Sequence, residues 1–218
     1  MDEGDVHTRP HWARSALLVI DVQRDFVAGG AMPVPGTDEI LPALAELVDA
    51  YRAAGRPVVH VVRLYEPGGD DVDLPRRAAV QQGGRLAAPG STGSELVPAV
   101  LGDHRPAPLD PASLLTGAPQ PLGAREFVLY KPRWSAFHRT RLEELLREHG
   151  VDTVVVAGCN LPNCPRATLF DASARDLRTV LVTDAVSQWS RERGEDLGRI
   201  GVRQATTAEV CRAVAADA

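Results

Sequence analysis

Apolar positions fall into short continuous runs separated by longer stretches with helical spacing. Residues 16–22 (ALLVIDV) form a β-branched run too short for a buried helix, which predicts a strand covered on both faces. In residues 37–54, Ile40, Leu44, Leu47, Val48 and Tyr51 recur at helical spacing, with Thr37 as N-cap and Gly55 as the stop. Further strands are predicted at 57–64, 126–131, 152–157, 179–184 and 202–205. Helices are predicted at 139–148, 165–175, 190–200 and 207–215; Gly150 closes the first, and Pro165 takes the opening position of the second. Strands alternating with helices give an α/β fold, a parallel sheet with helices on both faces.

Residues 65–125 break the alternation. This segment is rich in Gly and Pro, too long for a structureless loop in a compact domain, and reads as a functional insertion with short helices near 74–80 and 94–101. It stands as a lid, an arm toward another subunit, or both. The organisation is then a tail at 1–15 and one domain at 16–218 carrying that insertion.

Composition narrows the function classes. Hydrophobic residues make up 44% of the 218, the norm for a globular chain. The net charge of −5, without a basic block, argues against nucleic acid. There is no apolar run of membrane-spanning length and no basic-then-apolar leader. Three sparse cysteines, Cys159, Cys164 and Cys211, are no disulfide framework, so a reducing cytoplasm is expected. Of 24 basic residues only Lys131 is lysine, so this position can require an ammonium that arginine does not replace.

Ligands in open parallel sheets bind beyond the carboxyl ends of the strands. Three such ends carry chemistry: Asp21 after the first strand, Lys131 after the third, Cys164 after the fourth. Cys164 precedes a helix start, where free N–H groups and the helix dipole favour a thiolate, as does a nearby Lys131. The plainer readings are a small buried hydrophobe for Cys164, a structural ion pair for Asp21 and a solvated charge for Lys131. No dinucleotide glycine motif, P-loop or H-E-x-x-H is present, and His60 reads as a sheet residue. The C-x4-C spacing of Cys159 and Cys164 leaves open a redox pair.

Three ordered motifs, LLVIDVQRDF (17–26), YKPRWSAF (130–137) and VVVAGCNLPNCPRATLFDA (154–172), followed by VLVTDAVS (180–187), resemble the isochorismatase-like hydrolase superfamily across residues 16–206. The resemblance implies a three-layer α-β-α sandwich with six parallel strands in order 3-2-1-4-5-6. It also implies a Cys–Asp–Lys triad on Cys164, Asp21 and Lys131. A cis peptide at Cys159–Asn160 belongs to the same pattern, with the N–H groups of Asn160 and Cys164 as oxyanion hole. Phe26, Trp134 and Leu161 are expected to line the substrate. Nicotinamidase-type members carry an Asp-x-His metal site after the second strand; here Arg63, Leu64 and Tyr65 stand there, so no metal or cofactor is expected and nicotinamide is disfavoured. The expected activity is hydrolysis of a small-molecule amide, lactam or carbamoyl bond through a thioester, in a branch similar to streptothricin hydrolases, by a homo-oligomer. A vinyl-ether hydrolase or lyase without covalent catalysis, and a non-catalytic scaffold, are the rival readings.

Overall fold

The structure, a computed structural model, describes residues 5–102 and 108–217. The expected tail, insertion and domain end run onto 1–4, 103–107 and 218, which lie outside the described residues. Seven strands form one sheet: β1 (Ser15–Ile20), β2 (Val58–Val62), β3 (Gln120–Gly123), β4 (Glu126–Tyr130), β5 (Thr153–Gly158), β6 (Arg178–Val186) and β7 (Arg203–Ala205), ordered β3-β4-β2-β1-β5-β6-β7. Without β3 the order is the expected one, and those six strands pair parallel. The expected six strands become seven because β3 pairs antiparallel on the edge of β4. Its Pro121 and Gly123 disguise it in the sequence; an outermost strand tolerates them, because a ladder N–H is dispensable there.

Seven α-helices accompany the sheet among the described residues: α1 (Leu41–Ala53), α2 (Leu74–Gln81), α3 (Pro111–Leu115), α4 (Leu142–Glu148), α5 (Cys164–Ser173), α6 (Arg191–Gly198) and α7 (Thr207–Ala216). All of β1 is buried, and its alternate residues sort the helices into two layers. Leu17 and Val19 pack with Leu44, Leu47 and Val48 of α1 and Val210 and Val214 of α7. Ala16, Leu18 and Ile20 pack with Leu142, Leu145 and Leu146 of α4 and Leu169 and Ala172 of α5. Burial of each of these larger side chains stabilises the fold by about 1.5–3 kcal/mol. Helix α1 begins later than its pattern suggested, because Thr37 is buried and its hydroxyl donates to Ser187 Oγ (3.3 Å) rather than capping. The segment before β1 is fastened to β5, with His11 N–H donating to Thr153 Oγ1 (3.0 Å) and its ring meeting Asp152 (2.8 Å).

Side chains of the strand-end loops hold the insertion in place. Fully buried Gln23 donates to the carbonyls of Arg63 (2.8 Å) and Ser94 (2.7 Å) and accepts from Arg63 N–H (2.8 Å). Asp25 accepts from the N–H groups of Ala87 (2.6 Å) and Ala31 (3.1 Å). The expected helix near 74–80 is α2; near 94–101 only two 3-10 turns form, Thr92–Ser94 and Pro98–Val100. Between strands, Glu126 accepts from Arg52 Nε (2.8 Å) and Nη2 (2.7 Å) and meets His60 Nε2 (2.7 Å), so His60 is a sheet residue inside a charged network.

Candidate active site

Asp21 is the first residue past β1 and adopts φ 53°, a left-handed conformation that aspartate tolerates better than most residues. Gly158 closes β5 at φ +112°, where an added Cβ would lie 2.2 Å from Ile20 O. Glycine therefore lets β1 and β5 close up just before both loops enter the site. Past Gly158 comes a cis peptide at Cys159–Asn160, as the motif implied. Asn160 Nδ2 then donates to Gln188 Oε1 (3.0 Å), and Asn160 O accepts from Asn163 N–H (3.0 Å).

Lys131 follows β4, its backbone N–H donating to Val62 O (3.0 Å). Its side chain is fully buried and Nζ donates to Asp21 Oδ2 at 2.9 Å. Cys164 is the first residue of α5, so its N–H belongs to the turn that has no acceptor within the helix. Its carbonyl accepts from Thr168 Oγ1 (2.8 Å), which in turn accepts from Ala136 N–H (3.0 Å) in the loop after β4. Pro165 takes the second helical position rather than the first.

Asp21 and Cys164 open into one cleft. Phe26, Met32, Val34 and Trp134 supply apolar wall, and Arg63, Tyr65 and Arg76 supply polar wall. Leu161, expected at the substrate, is fully buried in the core beside α5 and is not among the lining residues. Its N–H donates to Ser187 O (3.0 Å), which turns the side chain toward the apolar layer. In the sequence, Arg63 and Tyr65 stand out only by breaking the metal motif, and Arg76 carries no signal; position at the end of β2 is what marks the first. A guanidinium ligates no cation, so the residues past β2 do not fit the metal site of nicotinamidase-type members.

Electrostatics run against one expectation. The Cys164 thiol is pushed up to about 12, first by burial and then by the negative charge of Asp21, with Lys131 pulling it down. A hydrogen bond to Asp21 also favours the thiol, and Arg63 opposes it. Burial and Asp21 thus favour the thiol, against the thiolate that a helix start alone would favour. Oδ1 of Asp21 is buried without another hydrogen bond of standard geometry, leaving it for that thiol proton. Cys159, also on the cleft, is likewise pushed up to about 12, chiefly by burial, and both are free thiols.

Residues 15–213 match the isochorismatase domain. The chain is 34% identical to a probable inactive nicotinamidase of Arabidopsis thaliana over 91% of this chain and 95% of that one. It is 33% identical to the maleamate amidohydrolase of Pseudomonas putida, over 79% and 72%. It is 34% identical to the streptothricin hydrolase of Streptomyces noursei, over 78% of this chain and 53% of that one. Among solved structures, an isochorismatase family protein from Desulfovibrio vulgaris superposes with a TM-score of 0.77 at 33% identity, covering 93% and 98% of the two chains. With the family's motifs, strand order and cleft all in place, the chain belongs to the isochorismatase domain family.

Proposed function

We propose that the protein is a cysteine amidohydrolase that opens a small carbon–nitrogen bond other than a peptide bond, with Cys164 as nucleophile. The observation that carries this is the buried Lys131–Asp21 pair, 2.9 Å apart, set against the Cys164 thiol at the floor of a cleft. Amidohydrolase names among the relatives support the reaction class.

In the reaction proposed, Asp21 takes the Cys164 proton as substrate displaces water, and the thiolate attacks the amide carbonyl. N–H groups of Cys164 and Asn160 hold the developing oxyanion, an effect worth about 3 kcal/mol per donor. Asp21 returns its proton to the leaving nitrogen as the carbon–nitrogen bond breaks, and a thioester remains. The same carboxylate then draws a proton from water, hydroxide attacks the thioester, and the acid leaves as the thiol is restored. Lys131 holds Asp21 in place and offsets the negative charge that passes between carboxylate and sulfur.

The test is a panel of small amides, N-carbamoyl compounds and lactams, with ammonia or amine release measured and acyl-Cys164 trapped by acid quench and mass spectrometry. Turnover that survives Cys164→Ala would favour the vinyl-ether or lyase reading. A second reading, a scaffold without turnover, is favoured by the likeness to the Arabidopsis relative, a probable inactive nicotinamidase. Failure of every compound, with no adduct on Cys164, would give that reading the field.

A further inference from the structure

Arg63 is a charged side chain that the proposed hydrolysis leaves without a task. It sits just past β2, is only 3% exposed, and lines the cleft with Asp21 and Cys164. One edge of its guanidinium is spoken for. Nε and Nη2 donate to Tyr65 Oη (3.1 and 2.9 Å), and Nη2 also donates to Asp73. The Tyr65 ring stacks 4.9 Å from the guanidinium carbon. Nη1, with two N–H donors, is buried and has no acceptor among the described residues. A buried donor without a partner is costly, and this cost falls on a group in the cleft wall.

With Arg63 and Arg76 against Asp21, the charged residues lining the cleft carry one more cation than anion. Asp21 is held by Lys131, and Asp73, which also accepts from Trp134 Nε1 (3.4 Å), is held by Arg63. Arg76 adds a second guanidinium to the wall. An arginine held through Nε and Nη2, with both N–H groups of Nη1 open, is a preformed donor for a carboxylate oxygen. Resting on the amidohydrolase reading, we propose that Arg63 receives an anionic group of the substrate. The amides this protein cleaves then carry a carboxylate or similar anion a few bonds from the scissile carbonyl.

A pair of alkylating reagents tests this without knowledge of the substrate. Iodoacetate and iodoacetamide are alike in size, and both lose iodide to the same thiolate, so the ratio of their rates on Cys164 cancels the thiolate fraction. An anion receptor beside Cys164 should raise that ratio roughly tenfold or more above its value on free glutathione at the same pH and salt. Arg63→Gln should return it to the glutathione value, whereas Arg63→Lys should keep part of it; circular dichroism checks that both variants fold. A wild-type ratio equal to that of glutathione overturns the proposal while leaving Cys164 a nucleophile. A high ratio that persists in folded Arg63→Gln overturns it as well, since the attraction then belongs to Lys131 or Arg76. Should Cys164 resist both reagents, the proposal falls together with the reading it rests on, because a cleft closed to a two-carbon acid has no room for the substrate.

Discussion

Lys131 reaches over the end of β2 to donate to Asp21, joining the ends of two strands that are not neighbours in the sheet. The slender ammonium can do this while itself fully enclosed. Lys131→Arg places a planar, wider group there, so overpacking should cost about 1–3 kcal/mol and kcat should fall by roughly 100-fold or more from misplacing Asp21. Urea unfolding and steady-state kinetics read the two effects. Near-normal kcat in this variant would remove the specific role given to the ammonium.

Because the Cys164 thiol is pushed up to about 12, its alkylation by iodoacetamide should climb steadily from pH 6 to pH 10. The sign follows from protonation: a raised thiol pKa leaves less thiolate at neutral pH, and each unit of pH restores about tenfold more. Peptide mass spectrometry at each pH gives the profile. A plateau below pH 7 would show a resting thiolate and contradict the burial-dominated electrostatics described above.

Asp21→Asn should separate reactivity from catalysis. Removing the carboxylate deletes the charge that, after burial, does most to hold Cys164 protonated, and leaves Lys131 facing the sulfur. Alkylation at pH 7 should rise by about tenfold or more, by the free energy of one pKa unit, while turnover of any amide collapses for want of a proton carrier. Loss of both together would mean that Asp21 serves only to hold the site's shape.

Away from the site, Glu126 is held at about 2 by His60 and Arg52, against burial that works to raise it. A carboxyl depressed on folding stabilises the protein at pH values above its unfolded pKa of about 4.3, and that contribution is lost as pH falls toward the folded value. Urea midpoints should therefore decline between about pH 4 and pH 2 more steeply in the wild type than in Glu126→Ala. At pH 7 the variant should be destabilised by about 3–5 kcal/mol, the usual cost of removing one partner of a buried ion pair.

Much of this was legible in the chain because the signals are local. Runs such as VVHVV and TVVVAG are strands by composition alone, and Asp21, Lys131 and Cys164 stand where strand ends must open. What stayed hidden depends on neighbours far along the chain. β3 exists because β4 offers it an edge, not because QPLG favours a strand. Leu161, in a loop beside the nucleophile, turns into the core, while Arg63, 98 residues earlier, turns into the cleft. The helix start at Cys164 is visible in sequence, but the desolvation that outweighs it is a property of the closed fold.

The lone lysine has a consequence for chemistry outside the active site. With Lys131 wholly enclosed, the folded chain presents no side-chain amine to solvent. Acylating reagents, aldehydes and enzymes that modify lysine all need an ε-amino group within reach, and here they meet one only when the sheet opens. Acylation of Lys131 therefore counts unfolding events, a reporter of global opening that the protein carries without any label.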